Sequence, residues 1–295
     1  MDPKQRVIGG LKALMVRSLW RSIGRRNLVR LGRFLSNEAR LDGANEMTRN
    51  GELMVQDEVL KHGGAGERTI VFDVGANVGD WSAALIEGAR GYGLSNLELH
   101  CFEPAPVSHE KLTRRIEAMR GSVRVEFVKA AASGVDGEGT LHLVSDSAGI
   151  NSLHVRSDMA PVGSVAVKLQ RLDTYCEALG IERVALVKCD AEGHDYEVLS
   201  GARALLERGA IDVFQFEYNW RWVDSRRFLK DVFELIDGLP YELAKITPEA
   251  VEPYRSWHSE LESYREANYV LLNTRTRDWF RRIPWWNEGD ERSRS

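Results

Sequence analysis

The chain has 295 residues, a net charge of −4, 43% apolar residues and 28% charged residues, a composition typical of a globular protein. Its apolar runs fall short of the ~18–20 residues that a membrane-spanning helix needs, and no signal-peptide core stands out. Three cysteines without CxxC spacing indicate buried free thiols in a reducing compartment, and we expect a cytoplasmic protein.

The N-terminal segment is strongly basic. Residues 1–40 hold ten Lys/Arg and two acidic residues, giving +8, while the rest of the chain is −12. Its apolar residues recur at helical spacing: Val7, Ile8, Leu11, Leu14, Met15, Leu19, Trp20 and Ile23. Such a helix either packs on the main domain with a solvated basic face or lies on an anionic membrane or near an anionic substrate. An organelle transit peptide is a further interpretation, since the segment is rich in arginine.

Glycines punctuate the next stretch, around a short helix predicted over Glu52–Lys61. We therefore predict a basic helical extension over residues 1–66, a catalytic domain over 67–275 and a Trp/Arg-rich tail over 276–295. The polar end of the tail is expected to be disordered.

From residue 69 onward, predicted strands and helices alternate, which is typical of an α/β fold with a mostly parallel sheet covered on both faces. The predicted strands are 69–74, 97–102, 123–128, 140–144, 165–169, 184–189, 211–216, 241–246 and 268–272. The predicted helices start at 81 and span 107–119, 172–179, 196–208 and 226–238. The loop from Ser145 to Gly163 is long, as binding elements and lids often are.

The strand Thr69–Val74 runs into a turn that contains Gly75, Asn77 and Gly79. Glycines at the turn let the backbone bend and let a ligand approach closely, and asparagine tolerates a left-handed conformation. The turn and the helix start after it can hold a polar cofactor tail, with Asp73 at the end of the strand. Asn77 and Asp80 occupy the second and third glycine positions of G-x-G-x-x-G, which counts against a nicotinamide dinucleotide.

Glu103 follows the next predicted strand, 24 residues after Gly79. An acidic residue at this place accepts hydrogen bonds from both hydroxyls of a ribose. The alternative is an acidic residue near a helix N-terminus, beside Pro104.

Several segments resemble the FkbM-type S-adenosylmethionine-dependent methyltransferases: Val71–Asp80, Phe102–Pro104, Arg171–Asp173, Leu186–Asp195 and Val198–Ala202. The resemblance covers about residues 50–273, including Asn50-Gly51-Glu52. Cys189 and Ala191 depart from the bulkier aliphatic residues that are usual in the family. The resemblance implies a Rossmann-like class I methyltransferase fold with a C-terminal antiparallel strand. It further implies S-adenosylmethionine as cofactor, S-adenosylhomocysteine as product, and a hydroxyl acceptor on a sugar, glycan or glycosylated natural product.

Polar residues after the central strands supply candidate catalytic groups. Asp190, Glu192 and His194 alternate after one strand, and Glu217 and Asn219 follow its neighbour. His194 suits a general base near neutral pH, although a surface histidine at a helix start is the alternative. We predict His194, Asp190 and Glu217 as catalytic. Such a cluster can also bind a divalent metal, but no ligand spacing compels this and no metal site is predicted.

The cofactor is expected to contact Asp73, Gly75, Asn77, Gly79, Glu103, Ala131 and Asp190. The acceptor is expected to contact Asn151, Ser152, Glu192 and Asn219. No nucleic-acid partner is expected. A nucleotide-dependent oxidoreductase and a non-catalytic cofactor-binding module are the alternative function classes.

Overall fold

The computed structural model describes residues 3–42, 46–63, 68–144 and 149–287. The chain divides into two compact units, Met1–Gly43 and Ala44–Ser295. The predicted boundaries at 66/67 and 275/276 do not coincide with this division, because residues of 52–62 and Phe280 belong to the core of the second unit. The predicted glycine linker at 64–66, the loop residues 145–148 and the polar end at 288–295 lie outside the described residues.

The first unit contains α1 (Pro3–Ile23) and α2 (Arg25–Arg40). The sequence predicts a single helical stretch here, but Gly24 has a φ of 79° and separates the two helices. A left-handed φ is readily adopted by glycine and interrupts the helix. Helix α2 has no buried residues. Apolar side chains of both helices, such as Leu14 of α1 and Phe34 of α2, are exposed.

The second unit contains two sheets and their covering helices. The helices are α3 (Glu52–His62), α4 (Asp80–Gly91), α5 (Pro106–Met119), α6 (Leu172–Leu179), α7 (Asp195–Gly201), α8 (Arg203–Glu207) and α9 (Leu229–Ile236). The strands are β1 (Thr69–Val74), β2 (Leu97–Phe102), β3 (Arg124–Val128), β4 (Ala131–Ala132), β5 (Gly137–Leu143), β6 (Gly163–Gln170), β7 (Val184–Cys189), β8 (Ile211–Tyr218), β9 (Tyr241–Ile246), β10 (Val251–Tyr254) and β11 (Ala267–Asn273). Short 3-10 turns occupy Trp220–Val223, Ser259–Leu261 and Arg277–Trp279.

The main sheet has eight strands in the order β10-β9-β11-β8-β7-β1-β2-β3. The strands from β3 to β8 in this order are mutually parallel. Strand β11 is inserted antiparallel between β8 and β9, and β10 pairs antiparallel with β9. This arrangement confirms the predicted mostly parallel sheet with an antiparallel C-terminal part, and it agrees with the Rossmann-like class I methyltransferase fold that the resemblance implies.

Strand β1 shows why the sheet is covered on both faces. Phe72 and Val74 pack into an apolar cluster with residues of α6 to α9. Val71, which points the opposite way, packs with residues of α3 to α5. Side chains alternate between the two faces of a strand, so a continuous apolar run requires helices on both sides. The ends of the strands then remain as the place where polar side chains can gather.

Some elements differ from the sequence prediction. Strands β4, β5 and β6 form a separate three-stranded sheet, and β10 adds an unpredicted edge strand. Strand β10 is short and contains Pro253, which weakens its strand signal. The helix predicted over 226–238 starts only at Leu229, because Arg226 has a left-handed φ of 57° and the Asp231 carboxylate accepts from the Phe228 N–H at 3.0 Å.

Candidate active site

A pocket opens at the carboxyl ends of β1, β2 and β7. Its walls also include strand β4 and residues 149–153. Of the predicted site residues, those that line the pocket are Gly75, Asn77, Glu103, Ala131, Asn151, Asp190, Glu192 and His194.

The turn after β1 forms one wall and depends on glycine. Gly75 has a φ of 77°, and a Cβ atom there would overlap the main-chain carbonyl oxygen of Asp190. The ends of β1 and β7 thus approach too closely for any side chain at Gly75. Gly79 has a φ of 85°, and a Cβ atom there would press on Leu112 and Ile116 of α5. Gly79 therefore serves helix packing, and the cofactor contact predicted for it is not evident.

Glu103 is held by the main chain at the tip of β2. Its Oε2 accepts a hydrogen bond from the Asn77 N–H at 2.9 Å, and its Oε1 accepts from the Ala105 N–H at 2.8 Å. The residue is only 7% exposed, and burial raises the pKa of its carboxyl to about 7. A carboxylate has about four lone-pair sites, so both oxygens retain acceptor capacity beyond these two bonds.

Asp73 lies beneath the pocket wall and is fully buried. Its Oδ2 accepts from Ser82 Oγ at 2.6 Å, and Lys188 Nζ lies 3.5 Å from its Oδ1. The same Lys188 Nζ lies 3.5 Å from Asp190 Oδ2. Burial lowers the pKa of Lys188, but the carboxylates of Asp190, Asp73 and Glu52 outweigh it and raise the pKa above its usual range. Asp73 thus fixes Lys188 beside Asp190. A direct cofactor contact is predicted for Asp73, but Asp73 is not among the residues that line the pocket.

Glu192 and the residues 151–152 form the opposite wall. Ser152 Oγ donates to the main-chain oxygen of Glu192 at 2.8 Å, and the Asn151 Oδ1 accepts from the Val144 N–H at 2.9 Å. Glu192 Oε2 lies 2.7 Å from Arg221 Nε, an ion pair without hydrogen-bond geometry. Burial raises the pKa of Glu192 to about 8. Ser152 is 2% exposed and holds the wall together, whereas Asn151 and Glu192 face the pocket.

Glu217 and Asn219 are buried behind this wall. Asn219 Nδ2 donates to Glu217 Oε2 at 2.6 Å, and Asn219 Oδ1 accepts from the Arg221 N–H at 2.8 Å. Arg221 Nη1 lies 3.7 Å from Glu217 Oε2. Burial, with Asp190 nearby, raises the pKa of Glu217 well above its usual range. These contacts make the pair a support for Arg221, while the predicted catalytic and acceptor contacts would need a rearrangement.

His194 lines the pocket at the start of α7, but both of its ring nitrogens have partners. Nε2 lies 2.9 Å from Ser133 Oγ, and Nδ1 lies 3.0 Å from His154 Nε2. Burial, together with His154 and Arg227, lowers the pKa of His194 to about 3. A buried imidazole with such a low pKa is a weak base, so this environment does not favour the predicted general-base role.

Four residues of this region were absent from the predicted site: Glu52, Ser133, His154 and Arg221. Glu52 accepts from Asn50 Nδ2 at 2.6 Å and from Gln215 Nε2 at 3.0 Å. The sequence signal for Glu52 is the Asn50-Gly51-Glu52 run, one of the segments that resemble the family. His154 and Ser133 approach His194 from distant parts of the chain, and no local pattern marks them.

A family model described as "Methyltransferase FkbM domain" matches residues 73–247, more than half of the chain. The chain belongs to this methyltransferase family. The match confirms the resemblance seen in the sequence and covers all the pocket-lining residues discussed above. No curated protein matches the chain.

Solved structures of this FkbM protein's fold are distant from it. An FkbM methyltransferase from Methylobacillus flagellatus KT is 15% identical with a TM-score of 0.44, covering 73% of this chain and 48% of that one. The chain thus spans about half the length of that relative. A SAM-dependent methyltransferase from Agrobacterium tumefaciens is 6% identical with a TM-score of 0.41, covering 76% of this chain and 61% of that one. An rRNA methylase from Streptococcus thermophilus is 11% identical with a TM-score of 0.38, covering 76% of this chain and 96% of that one. Likenesses this remote carry no argument about the acceptor.

Proposed function

We propose that this FkbM-family protein transfers a methyl group from S-adenosylmethionine to a hydroxyl of a sugar, glycan or glycosylated natural product. The observation that carries the proposal is that carboxylates lie on two opposite sides of one pocket. Glu103 is held by main-chain N–H groups on one side, and Asp190 and Glu192 lie on the other. Carboxylates suit the hydroxyls of a ribose and of an acceptor equally, because both are hydrogen-bond donors.

The cofactor half of the pocket fits S-adenosylmethionine. Gly75 leaves space for close main-chain approach, and Glu103 has free acceptor capacity for two ribose hydroxyls. The buried Asn77 Oδ1 has no hydrogen-bond partner among the described residues, so a donor on the ligand can satisfy it. Ala131 presents a small apolar surface in the same wall. When bound, S-adenosylmethionine supplies a methyl group on a positively charged sulfur.

The acceptor half must align a hydroxyl oxygen and remove its proton. Asp190 is the most suitable group, because its side chain is 42% exposed and, within the described part of the chain, Lys188 pairs with just one of its oxygens, Oδ2. We assign the acceptor O–H to the other oxygen, Oδ1, which takes up the proton. Glu192, braced by Arg221, binds a second hydroxyl of the acceptor. His194 is assigned to the support of this wall.

Binding and turnover experiments test the proposal. Calorimetric titration with S-adenosylhomocysteine should give saturable binding, and NAD should give none. Turnover of S-adenosylmethionine with a panel of sugars and lipid-linked sugars should then identify an acceptor. Binding of NAD instead would favour the oxidoreductase, and cofactor binding without turnover on any acceptor would favour the non-catalytic module.

We further propose that residues 1–40 bring the protein to an anionic membrane, at the inner face of the cytoplasmic membrane. The segment carries +8, and within its unit Leu14, Trp20 and Phe34 are 65%, 50% and 58% exposed. Basic and apolar side chains together suit the interface of an anionic bilayer, with ~1 kcal/mol for each Lys/Arg near the surface. None of the described helices has the length and apolar character needed to cross a membrane.

Vesicle sedimentation tests the membrane proposal. The full-length protein should sediment with phosphatidylserine vesicles at low salt and be released as salt rises. The Arg26→Glu, Arg33→Glu double variant should lose this binding, whereas reversal of the exposed Arg114 and Arg277 in the second unit should not. Equal binding of the two double variants would contradict the proposal.

A further inference from the structure

Three metal-ligating side chains meet beside the pocket: His154, His194 and Glu197. The Nδ1 of His194 lies 3.0 Å from His154 Nε2 and 3.8 Å from Glu197 Oε2. One ligand atom from each residue lies within 4.8 Å of the other two. His194 is buried, and the other two are partly buried. Two imidazoles and a carboxylate thus converge on one partly buried point.

Glu197 points an unsatisfied oxygen at this cluster. Its Oε1 accepts a hydrogen bond from Arg227 Nε at 2.9 Å. Its Oε2 is buried and has no hydrogen-bond partner among the described residues. A buried carboxylate oxygen without a donor is unfavourable, and in native proteins such an atom is usually satisfied by a water molecule or an ion. A cation between Oε2 and the two imidazoles would satisfy it.

The ligands are also held in place by a second layer of contacts. Ser133 Oγ lies 2.9 Å from His194 Nε2 and can accept its N–H, which directs Nδ1 toward the cluster. Ser152 Oγ accepts from the main-chain N–H of His154 at 3.1 Å and donates to the main-chain oxygen of Glu192. His194 and Glu197 are three residues apart at the start of α7 and therefore share one helix face. The side chains of His194 and Glu197 are thus oriented before any ion binds, and Ser152 fixes the main chain at His154.

The ligand types select the ion. Neutral imidazole and carboxylate are ligands of Zn²⁺ and related first-row divalent metals, whereas Mg²⁺ and Ca²⁺ prefer oxygen. Tetrahedral Zn²⁺ with bonds near 2.0–2.1 Å places its ligand atoms about 3.3 Å apart. The observed separations of 3.0 and 3.8 Å lie on either side of that value.

We propose that His154, His194 and Glu197 form a site for Zn²⁺ or a related first-row divalent metal. This inference goes beyond the proposed methyl transfer and does not depend on it. The ion would join residues 152–154 to α7 and so fix the wall of the pocket that His194 lines. Three protein ligands leave a fourth position for water.

Cobalt and zinc titrations test this site. Chelator-treated full-length protein should bind one Co²⁺ per chain, with the intense visible absorption of a tetrahedral site, and Zn²⁺ should displace it. Loss of a second-layer partner weakens metal binding by about 10–100-fold, which is expected for Ser133→Ala. Loss of a ligand in His154→Ala or Glu197→Gln should weaken it by at least about 100-fold. His142→Asn removes a histidine near the cluster that is not a ligand and should leave the affinity unchanged.

Two results would overturn the proposal. The first is the absence of a tetrahedral Co²⁺ spectrum in the wild-type protein. The second is unchanged affinity in the folded His154→Ala variant, since the ion would then lie elsewhere. Circular dichroism checks the folding of each variant. Should Glu197→Gln fail to fold after losing its pair with Arg227, the wild-type spectrum and His154→Ala still decide the outcome.

Discussion

The two halves of the pocket hold their carboxylates in different ways. Glu103 accepts hydrogen bonds from two main-chain N–H groups next to the strand ends. Asp190 and Glu192 instead lie beside the cationic side chains of Lys188 and Arg221. Main-chain contacts are fixed by the fold, whereas side-chain partners can be replaced one at a time. We therefore infer that the wall around Glu103, the proposed cofactor half, tolerates fewer sequence changes than the wall of Asp190 and Glu192, the proposed acceptor half.

The largest effect is expected on the acceptor side. Asp190→Asn should lower kcat by about 10²–10⁴, because the amide cannot take up the acceptor proton. The affinity for S-adenosylhomocysteine should change little if Asp190 serves the acceptor half. Steady-state turnover with the acceptor found in the panel measures the first effect, and calorimetry measures the second.

Asp80→Asn is the matched control for this variant, because Asp80 is an exposed carboxylate of the same region that pairs with Arg115. It should keep full turnover. Normal kcat in Asp190→Asn would place the proton acceptor elsewhere.

The junction of the two halves is tested by Gly75→Ala. The new Cβ would overlap the carbonyl oxygen of Asp190, in addition to the strain of a positive φ. We expect a loss of about 3 kcal/mol in the free energy of unfolding. Gly93 also has a positive φ, of 65°, but a Cβ atom there meets open space, so Gly93→Ala should cost only about 1–2 kcal/mol. Urea unfolding of both variants measures the difference, and equal losses would show that the close approach is unimportant.

The cofactor half is tested by Glu103→Ala. Each hydrogen bond from a ribose hydroxyl to the carboxylate contributes ~1.5–3 kcal/mol, so the Kd for S-adenosylhomocysteine should rise by at least about 100-fold. The thermal stabilisation by this ligand should largely disappear. Glu126→Ala, at a partly buried carboxylate of β3 outside the pocket, should retain both. An unchanged Kd in Glu103→Ala would remove the ribose assignment.

The smallest effect concerns pH. Burial raises the pKa of Glu103 to about 7. The negative charge of Asp73 also raises this pKa, and the positive charge of Lys188 lowers it. The carboxyl is therefore mostly neutral at pH 6 and mostly ionised at pH 8, and only the ionised form accepts from both ribose hydroxyls. The affinity for S-adenosylhomocysteine should rise about tenfold over this interval. Glu103→Gln should flatten the profile, and a slope that persists in this variant would assign it to another group.

Residues of the wall around Glu103 are easier to place at the pocket from the sequence than residues of the opposite wall, for physical reasons. Gly75, Asn77 and Glu103 follow the ends of neighbouring parallel strands, and a regular sheet brings such ends together. Glu217 was expected at a strand tip after residue 216, but β8 continues to Tyr218 and keeps Glu217 inside the strand. The cluster around His194 could not be predicted, because His154 lies 40 residues earlier in the chain. Such a contact depends on how a long loop folds back, which no local periodicity encodes.

The loop that carries His154 has a consequence for how this protein could diverge. Ser152 ties its first part to β5 and to Glu192, while Val155, Met159 and Val162 beyond it are 62%, 39% and 73% exposed. Insertions are tolerated best in exposed segments whose main chain has few fixed partners. Longer or shorter segments at residues 159–162 should therefore be accommodated without disturbing Glu103. The length of this loop can then change in evolution while the wall around Glu103 stays the same.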